Sequence, residues 1–240
     1  MVIINGKIFP MEGENIANGF VRVHESKIAA LGDMSDYQKV KGEEVLDVQG
    51  AWVLPGLIES HAHIGITEEK WGTIGDDCNE ETLPVTPTLR AIDAINPMDP
   101  AFHDAIGAGI TSVMVGPDLT ARSKIEVKNM DFKTNKILHD AGVLFSITTD
   151  HPVSLIQYLP LCAGLAVKHG LPVEEGFKAI TINAARICRV DDRVGSLKKG
   201  KDADIAIFSG NPLEVFTETL YTIIDGQVIY NKEQSRETIK

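Results

Sequence analysis

Short apolar stretches alternating with polar positions open the chain. Val2 to Ile4, Asn5-Gly6 and Lys7 to Phe9 read as a compact hairpin, because Asn-Gly supplies the positive φ angles of a two-residue turn. Val21 and Val23 alternate with polar neighbours, Ile28 to Leu31 follows another turn, and Val45, Leu46 and Val48 form a further strand before Gly50. These segments predict a small β-unit. At Trp52 the pattern changes to an apolar run, Val53-Leu54-Pro55-Gly56-Leu57-Ile58, which ends in Glu59-Ser60-His61-Ala62-His63. Asp99 as N-cap and Pro100 at the first helical position open a helix that reaches Gly107 or Gly109. Thr111 to Val115 reads as a buried strand, Phe132 to Ala141 as a helix closed by Gly142, and Val143 to Thr148 as another buried strand. Amphipathic helices are predicted over Ser154 to His169 and Val173 to Val190, separated by Gly170 and Pro172. Strand and helix in alternation predict parallel βα units. Ala203 to Phe208 returns to β-structure, and Tyr221 to Ile224, Asp225-Gly226 and Gln227 to Tyr230 make a hairpin. Both ends of the chain are therefore expected in one sheet or sandwich, with the βα portion inserted between its halves.

Composition narrows the classes. The chain has 240 residues, 43% of them hydrophobic, which suits a substantial core but is thin for two large domains. With 24% charged residues and no simple segment, collagen-like, coiled-coil and disordered readings fall away. Gly, Pro or charge breaks every long apolar run, so no bilayer span is expected. The opening Met-Val-Ile-Ile-Asn-Gly-Lys lacks the features of a secretory signal, so a cytoplasmic location is expected. A formal net charge of -11 disfavours nucleic acid and anionic membrane as partners. Cys78, Cys162 and Cys188 are far apart and form no C-x-x-C pair, which argues for reduced thiols rather than a disulfide framework or zinc knot.

The chemistry concentrates in two places. On a strand, residues i and i+2 face the same side, so His61 and His63 project together from the C-terminal end of the Trp52 run. Two imidazoles at that spacing can grip a divalent ion, and barrel active sites lie at that end of the strands. Surface or capping histidines are the plainer alternative. The second place is Ile147-Thr148-Thr149-Asp150-His151-Pro152. An Asp directly after a buried strand can bind metal and accept a proton from water, or Asp150 or Ser154 can simply cap the following helix.

These residues resemble the amidohydrolase superfamily of metal-dependent hydrolases, in its imidazolonepropionase-like branch. The first barrel strand of that family is similar to Pro55-Gly56-Leu57-Ile58 followed by His61 and His63, and its last barrel strand ends in an Asp that Asp150 matches. Ala184-Ala185, Gly195-Ser196-Leu197, Gly200-Lys201-Asp202-Ala203-Asp204 and the Ile224-Asp225-Gly226 hairpin resemble the passage from barrel to sandwich. The resemblance implies an α/β fold: a (β/α)8 TIM-type barrel over 54–202, with a small β-sandwich from 1–53 and 203–240. It implies His61, His63 and Asp150 as ligands of one or two divalent ions, zinc first, that activate a water against an amide or amidine carbon. Asp150 would take the water's proton and pass it to the leaving nitrogen; His151 would orient Asp150 or touch substrate. A homo-oligomer is compatible with the family.

The barrel expectation meets an arithmetic obstacle. Leu54 to Asp202 is 149 residues, whereas such a barrel takes roughly 200 to 250. Three barrel strands are legible, at Val53 to His63, Thr111 to Val115 and Val143 to Thr148, with a fourth conceivable at Ser123 to Lys128. The family's middle-strand ligands have no counterpart, since His139 falls in a predicted helix. A stretch is therefore expected to be missing near Gly116 to Leu119, from this chain rather than from the gene. Glu126 reads better as part of a solvated strand face than as a ligand, and Arg122 or Lys124 could hold a substrate carboxylate. The acidic stretch Thr67 to Pro87 reads equally as a pocket loop or a solvated excursion, with Trp71 as its pocket candidate.

Three functions remain open on the sequence. The first is hydrolysis of a C–N bond in a small molecule, acting on a cyclic or acylated amino-acid-like compound. The second is deamination within the same superfamily, using one metal and a middle-strand Glu. The third is a non-catalytic scaffold of the same fold that has lost its metal ligands. Metal content separates the scaffold from both enzymes.

Overall fold

The computed structural model describes residues 1–67, 95–96, 98–115 and 133–234, with 112–115 described by backbone alone. Its largest element is an eight-stranded sheet built from both ends of the chain. The N-terminal part supplies β1 (Val2–Ile8), β2 (Ile16–His24), β3 (Lys27–Asp33), β4 (Val45–Asp47) and β5 (Trp52–Pro55). The C-terminal part supplies β8 (Ile205–Phe208), β9 (Thr219–Ile224) and β10 (Gln227–Asn231). The order is β10-β9-β8-β5-β1-β2-β3, with β4 also paired to β1. The halves join where β5 and β8 run antiparallel, Trp52 opposite Phe208 and Pro55 opposite Ile205.

These central strands are apolar without interruption because both of their faces are covered. Val53, Ile205 and Ile207 point into a core shared with Ile3, Ile8, Val21 and Ile223. Leu54, Ala206 and Phe208 point the other way, into a core with Leu57, Phe145, Leu159 and Phe177. The sheet curls, so that Lys27 on β3 meets Asp202 just before β8. The expected sandwich is thus a single curled sheet among the described residues, because β5 and β8 hydrogen-bond directly instead of stacking face to face.

The expected N-terminal hairpin is also corrected. Val2 to Ile8 is one strand, and Asn5, at φ 59°, marks a register irregularity against β2 rather than a reversal. Asn-Gly supplies the same left-handed geometry to a bulge as to a turn. The C-terminal hairpin follows its expectation, with Asp225 and Gly226 at φ 50° and 75°.

The chain leaves the large sheet at Gly56. A Cβ there would lie 2.0 Å from Thr111 Oγ1, so only glycine lets the backbone pass. β6 (Leu57–Ala62) then pairs in parallel with β7 (Ile110–Val115), Leu57 opposite Ile110 and Ala62 opposite Val115. Between them runs α1 (Pro100–Gly107), capped as the sequence predicts: the Asp99 carboxylate accepts from Ala101 N at 3.0 Å and from Gly65 N at 2.8 Å.

The remaining elements are helical: α2 (Thr134–Asp140), α3 (Leu159–Lys168), α4 (Val173–Ala179) and α5 (Ile182–Ile187). Two expectations change here. The helix from Ser154 begins only after a 3-10 turn at Ile156–Tyr158, and the single helix expected over Val173 to Val190 breaks at Ile180-Thr181. The break has a purpose in the packing. It frees the Ile180 carbonyl to accept from Ile58 N at 2.9 Å and the Ala179 carbonyl to accept from Ile147 N at 3.1 Å.

Val143 to Thr148, expected as a buried strand, joins no backbone ladder among the described residues, and Val143 and Leu144 are exposed. Phe145 and Ile147 alone of its apolar residues enter the core. The α/β portion is therefore incomplete among the described residues, with β6 and β7 as its paired strands. Ser123 to Lys128, the junction at Gly116 to Leu119 and Glu68 to Pro87 lie outside the described residues. No described helix is long and apolar enough to cross a membrane. Cys162 and Cys188 form no disulfide among the described residues, while Cys78 falls outside the described residues.

Candidate metal centre

His61, His63 and Asp150 meet at the C-terminal end of β6. His61 Nε2 and His63 Nε2 lie 3.1 Å and 3.2 Å from the same oxygen, Asp150 Oδ1. The alternation of the strand turns both imidazoles to one side, their planes 89° apart and their centroids 5.2 Å apart. One donor atom from each of the three residues falls within a 4.8 Å cluster. His63 is nearly buried, whereas His61 and Asp150 are about a quarter exposed, which leaves an approach from solvent. Asp150 has a φ of 53°, a conformation that Asp tolerates better than most residues. Its side chain faces the histidines and caps no helix, as α3 has no side-chain cap.

Two nitrogens and one carboxylate oxygen in this arrangement could serve as the donor set of a three-ligand divalent-metal site with an open position. The residues present fit a metal ion.

Beneath this group lies a residue that the motif reading passed over. Glu59 is completely buried, and four donors surround its carboxylate. Oε1 accepts from Thr148 Oγ1 and from His61 N at 3.2 Å; Oε2 accepts from Thr149 N at 2.9 Å and Thr149 Oγ1 at 2.7 Å. Burial pushes the Glu59 carboxyl above the usual carboxylate range, against the pull of these hydrogen bonds. A signal was present in the sequence: Glu59, His61 and His63 occupy positions i, i+2 and i+4 of one strand.

His151 requires a correction. Expected against substrate or Asp150, it is fully buried, and its Nδ1 accepts from Ile156 N at 3.3 Å. Its Nε2 has no hydrogen-bond partner among the described residues. Burial lowers the pKa of the ring, while the Asp99 charge opposes that shift. A ring so enclosed is not placed to contact a substrate. Trp71 and Arg122, the other two substrate-binding candidates, lie outside the described residues.

The fold is shared with solved proteins. A solved amidohydrolase from Thermotoga maritima MSB8 superposes with a TM-score of 0.87 at 21% identity, covering 96% of this chain and 99% of that one. The fold is that of a TIM-barrel-like α/β protein with a sheet-rich part.

Residues 101–230, just over half of the chain, match the amidohydrolase family. The chain belongs to that family. It is similar to the amidohydrolase tasK of Hapsidospora irregularis, 32% identical over 91 residues, which are 38% of this chain and 9% of that protein. It is also similar to a 5-methylthioadenosine/S-adenosylhomocysteine deaminase of Bacillus cereus (strain 03BB102), 34% identical over 112 residues, 46% of this chain and 24% of that protein. These matches span less than a quarter of the length of either relative.

Proposed function

We propose that this chain is a metal-dependent hydrolase of C–N bonds in small molecules, with its centre at His61, His63 and Asp150. The observation that carries the reading is the convergence of His61 Nε2 and His63 Nε2 on Asp150 Oδ1 at 3.1 Å and 3.2 Å. The three side chains would hold a divalent cation, and imidazole with carboxylate suits zinc as well as manganese, iron or nickel. Such an ion, when bound, supplies Lewis acidity and brings the pKa of a water towards neutrality.

The chain's own residues supply the rest. His61 and His63 orient the site by being fixed to one face of β6. The Asp150 carboxylate accepts the proton of the attacking water and returns it to the departing nitrogen. The depth of His63 excludes bulk water from one side, while the partial exposure of His61 and Asp150 admits a substrate.

A second reading, deamination of an aminopurine-like ring, is favoured by the similarity to the Bacillus cereus deaminase. Both reactions replace a C–N bond by C–O at a metal-assisted centre. Zinc content of the purified protein, with turnover of a panel of amides, cyclic amides and aminopurines, tests the proposal. A chain that takes up no divalent metal is the scaffold of the third reading, and the proposal falls.

A further inference from the structure

We propose that Glu59 is a positioning residue: its buried carboxylate ties Thr148 and Thr149 to β6 and thereby sets where Asp150 stands against His61 and His63. The inference rests on the reading of those three residues as a metal centre.

The segment that carries Asp150 needs such a tie because it has no ladder with β6. Two carbonyls, of Ala179 and Ile180, hold Ile147 and Ile58 side by side at the lower end. At the upper end a single backbone bond, His63 N to His151 O at 2.7 Å, joins the two segments. Between these ends the contacts run through side chains. On one side Ser60 Oγ and Ser146 Oγ are 2.9 Å apart. On the other, Glu59 takes three donors from residues 148–149 and one from the backbone of His61.

A relay then continues to Asp150. Thr148 Oγ1, beside Glu59, lies 2.6 Å from the His61 carbonyl and accepts from Asp150 N at 3.2 Å. One carboxylate therefore touches the backbone of one ligand directly and that of another through a single hydroxyl. The backbone N–H groups of His61 and Thr149 both find their side-chain acceptor in this carboxyl group. An amide in its place would turn an NH2 group towards one of the two donor pairs and leave the backbone N–H of His61 or of Thr149 without its acceptor. Groups that hydrogen-bond behind metal ligands commonly control affinity by 10–100-fold when removed.

The test loads the protein with cobalt(II) and measures its affinity by competition with a chelator, together with the visible absorption spectrum. Glu59→Gln and Thr149→Val are compared with Ser60→Ala, which loses the hydrogen bond on the opposite side of β6. Glu59→Gln is expected to weaken cobalt binding about 10–100-fold and to change the spectrum. Thr149→Val should change both in the same direction, and Ser60→Ala should leave both at the wild-type value. If Glu59→Gln fails to fold, Thr149→Val decides by the same criteria. Wild-type affinity and spectrum in both clamp variants, or an equal change in Ser60→Ala, would overturn the positioning role while leaving the metal centre standing. A wild-type chain that binds no cobalt would overturn the metal centre and the inference with it.

Discussion

The curled sheet and the proposed metal centre are held together by different means. In the sheet, β5 and β8 exchange backbone hydrogen bonds along their whole length and bury both faces. Register there follows from the pairing itself, since a slip by one residue would turn Val53 and Leu54 into the wrong cores. Around the proposed centre, the segment 143–149 reaches β6 by polar side chains, and the bonds of Glu59, Thr148, Thr149, Ser60 and Ser146 stand where a ladder would. The sheet can lose a polar side chain and keep its geometry. The proposed centre should not survive loss of the Glu59 clamp in the same way, because Asp150 is tied through it, whereas the Ser60–Ser146 pair lies on the opposite side of β6.

Substitutions can set the two regions against each other. The largest effect should come from His61→Ala, which is expected to abolish hydrolysis and bound metal together; retention of both would remove the proposed centre. Asp150→Asn should lower turnover by about 10²–10⁴, measured as kcat on whichever substrate the panel identifies. In both cases the metal-free protein should unfold within about 0.5 kcal/mol of wild type, as partly exposed positions usually do. A collapse of stability would mean that the centre also holds the fold.

The sheet should behave in the opposite way. Leu54→Ala is expected to cost about 2–5 kcal/mol in denaturant unfolding, because the side chain is wholly enclosed. The protein that remains folded should bind metal with unchanged affinity, as titration will show. At the junction between the regions, Gly56→Ala would press a methyl group into Thr111 and should cost about 1–3 kcal/mol. Since Gly56 is followed directly by β6, the cobalt spectrum of this variant shows whether strain at the junction reaches the centre.

The smallest effect concerns pH. Asp204, beside the sheet, has its carboxyl pushed up to about 6, first by burial and then by the charges of Asp225 and Asp202, although Asp225 N donates to it at 2.9 Å. A folded-state pKa above the ordinary value means that its stabilising contribution is present below pH 3.8 and is lost as pH rises through about 6. Asp204→Asn keeps an acceptor and removes the charge. Its melting temperature should therefore rise above that of wild type between pH 4 and 6 and stay higher at pH 7. A pH-independent difference would show that the Asp204 carboxyl does not titrate in this way.

Much was legible where local chemistry decides. Asp99-Pro100 announced α1, Asp225-Gly226 announced the last hairpin, and the His61/His63 spacing announced a shared face. Asn5-Gly6 misled because the same backbone geometry serves a bulge as well as a turn. Val143 to Thr148 misled because a run of apolar and β-branched residues reads as a strand whether or not a partner backbone is in reach. The break at Ile180-Thr181 had no Gly or Pro to mark it. It exists because Ile58 and Ile147, distant in sequence, need carbonyl acceptors there.

The sequence by itself determined the short-range matters: the caps and turns, the apolar character of β5 and β8, and two histidines on one side of a strand. All of these depend on residues within a few positions of one another. Tertiary structure brought Asp150, grouped with the histidines in the sequence only by family resemblance, against His61 and His63, and it set β5 directly beside β8. It alone also surrounded Glu59 with donors from 148–149. The physical reason is distance along the chain. A carboxylate such as Glu59 reads as an ordinary charge until folding removes its water and brings Thr148 and Thr149, about ninety residues away, to replace it.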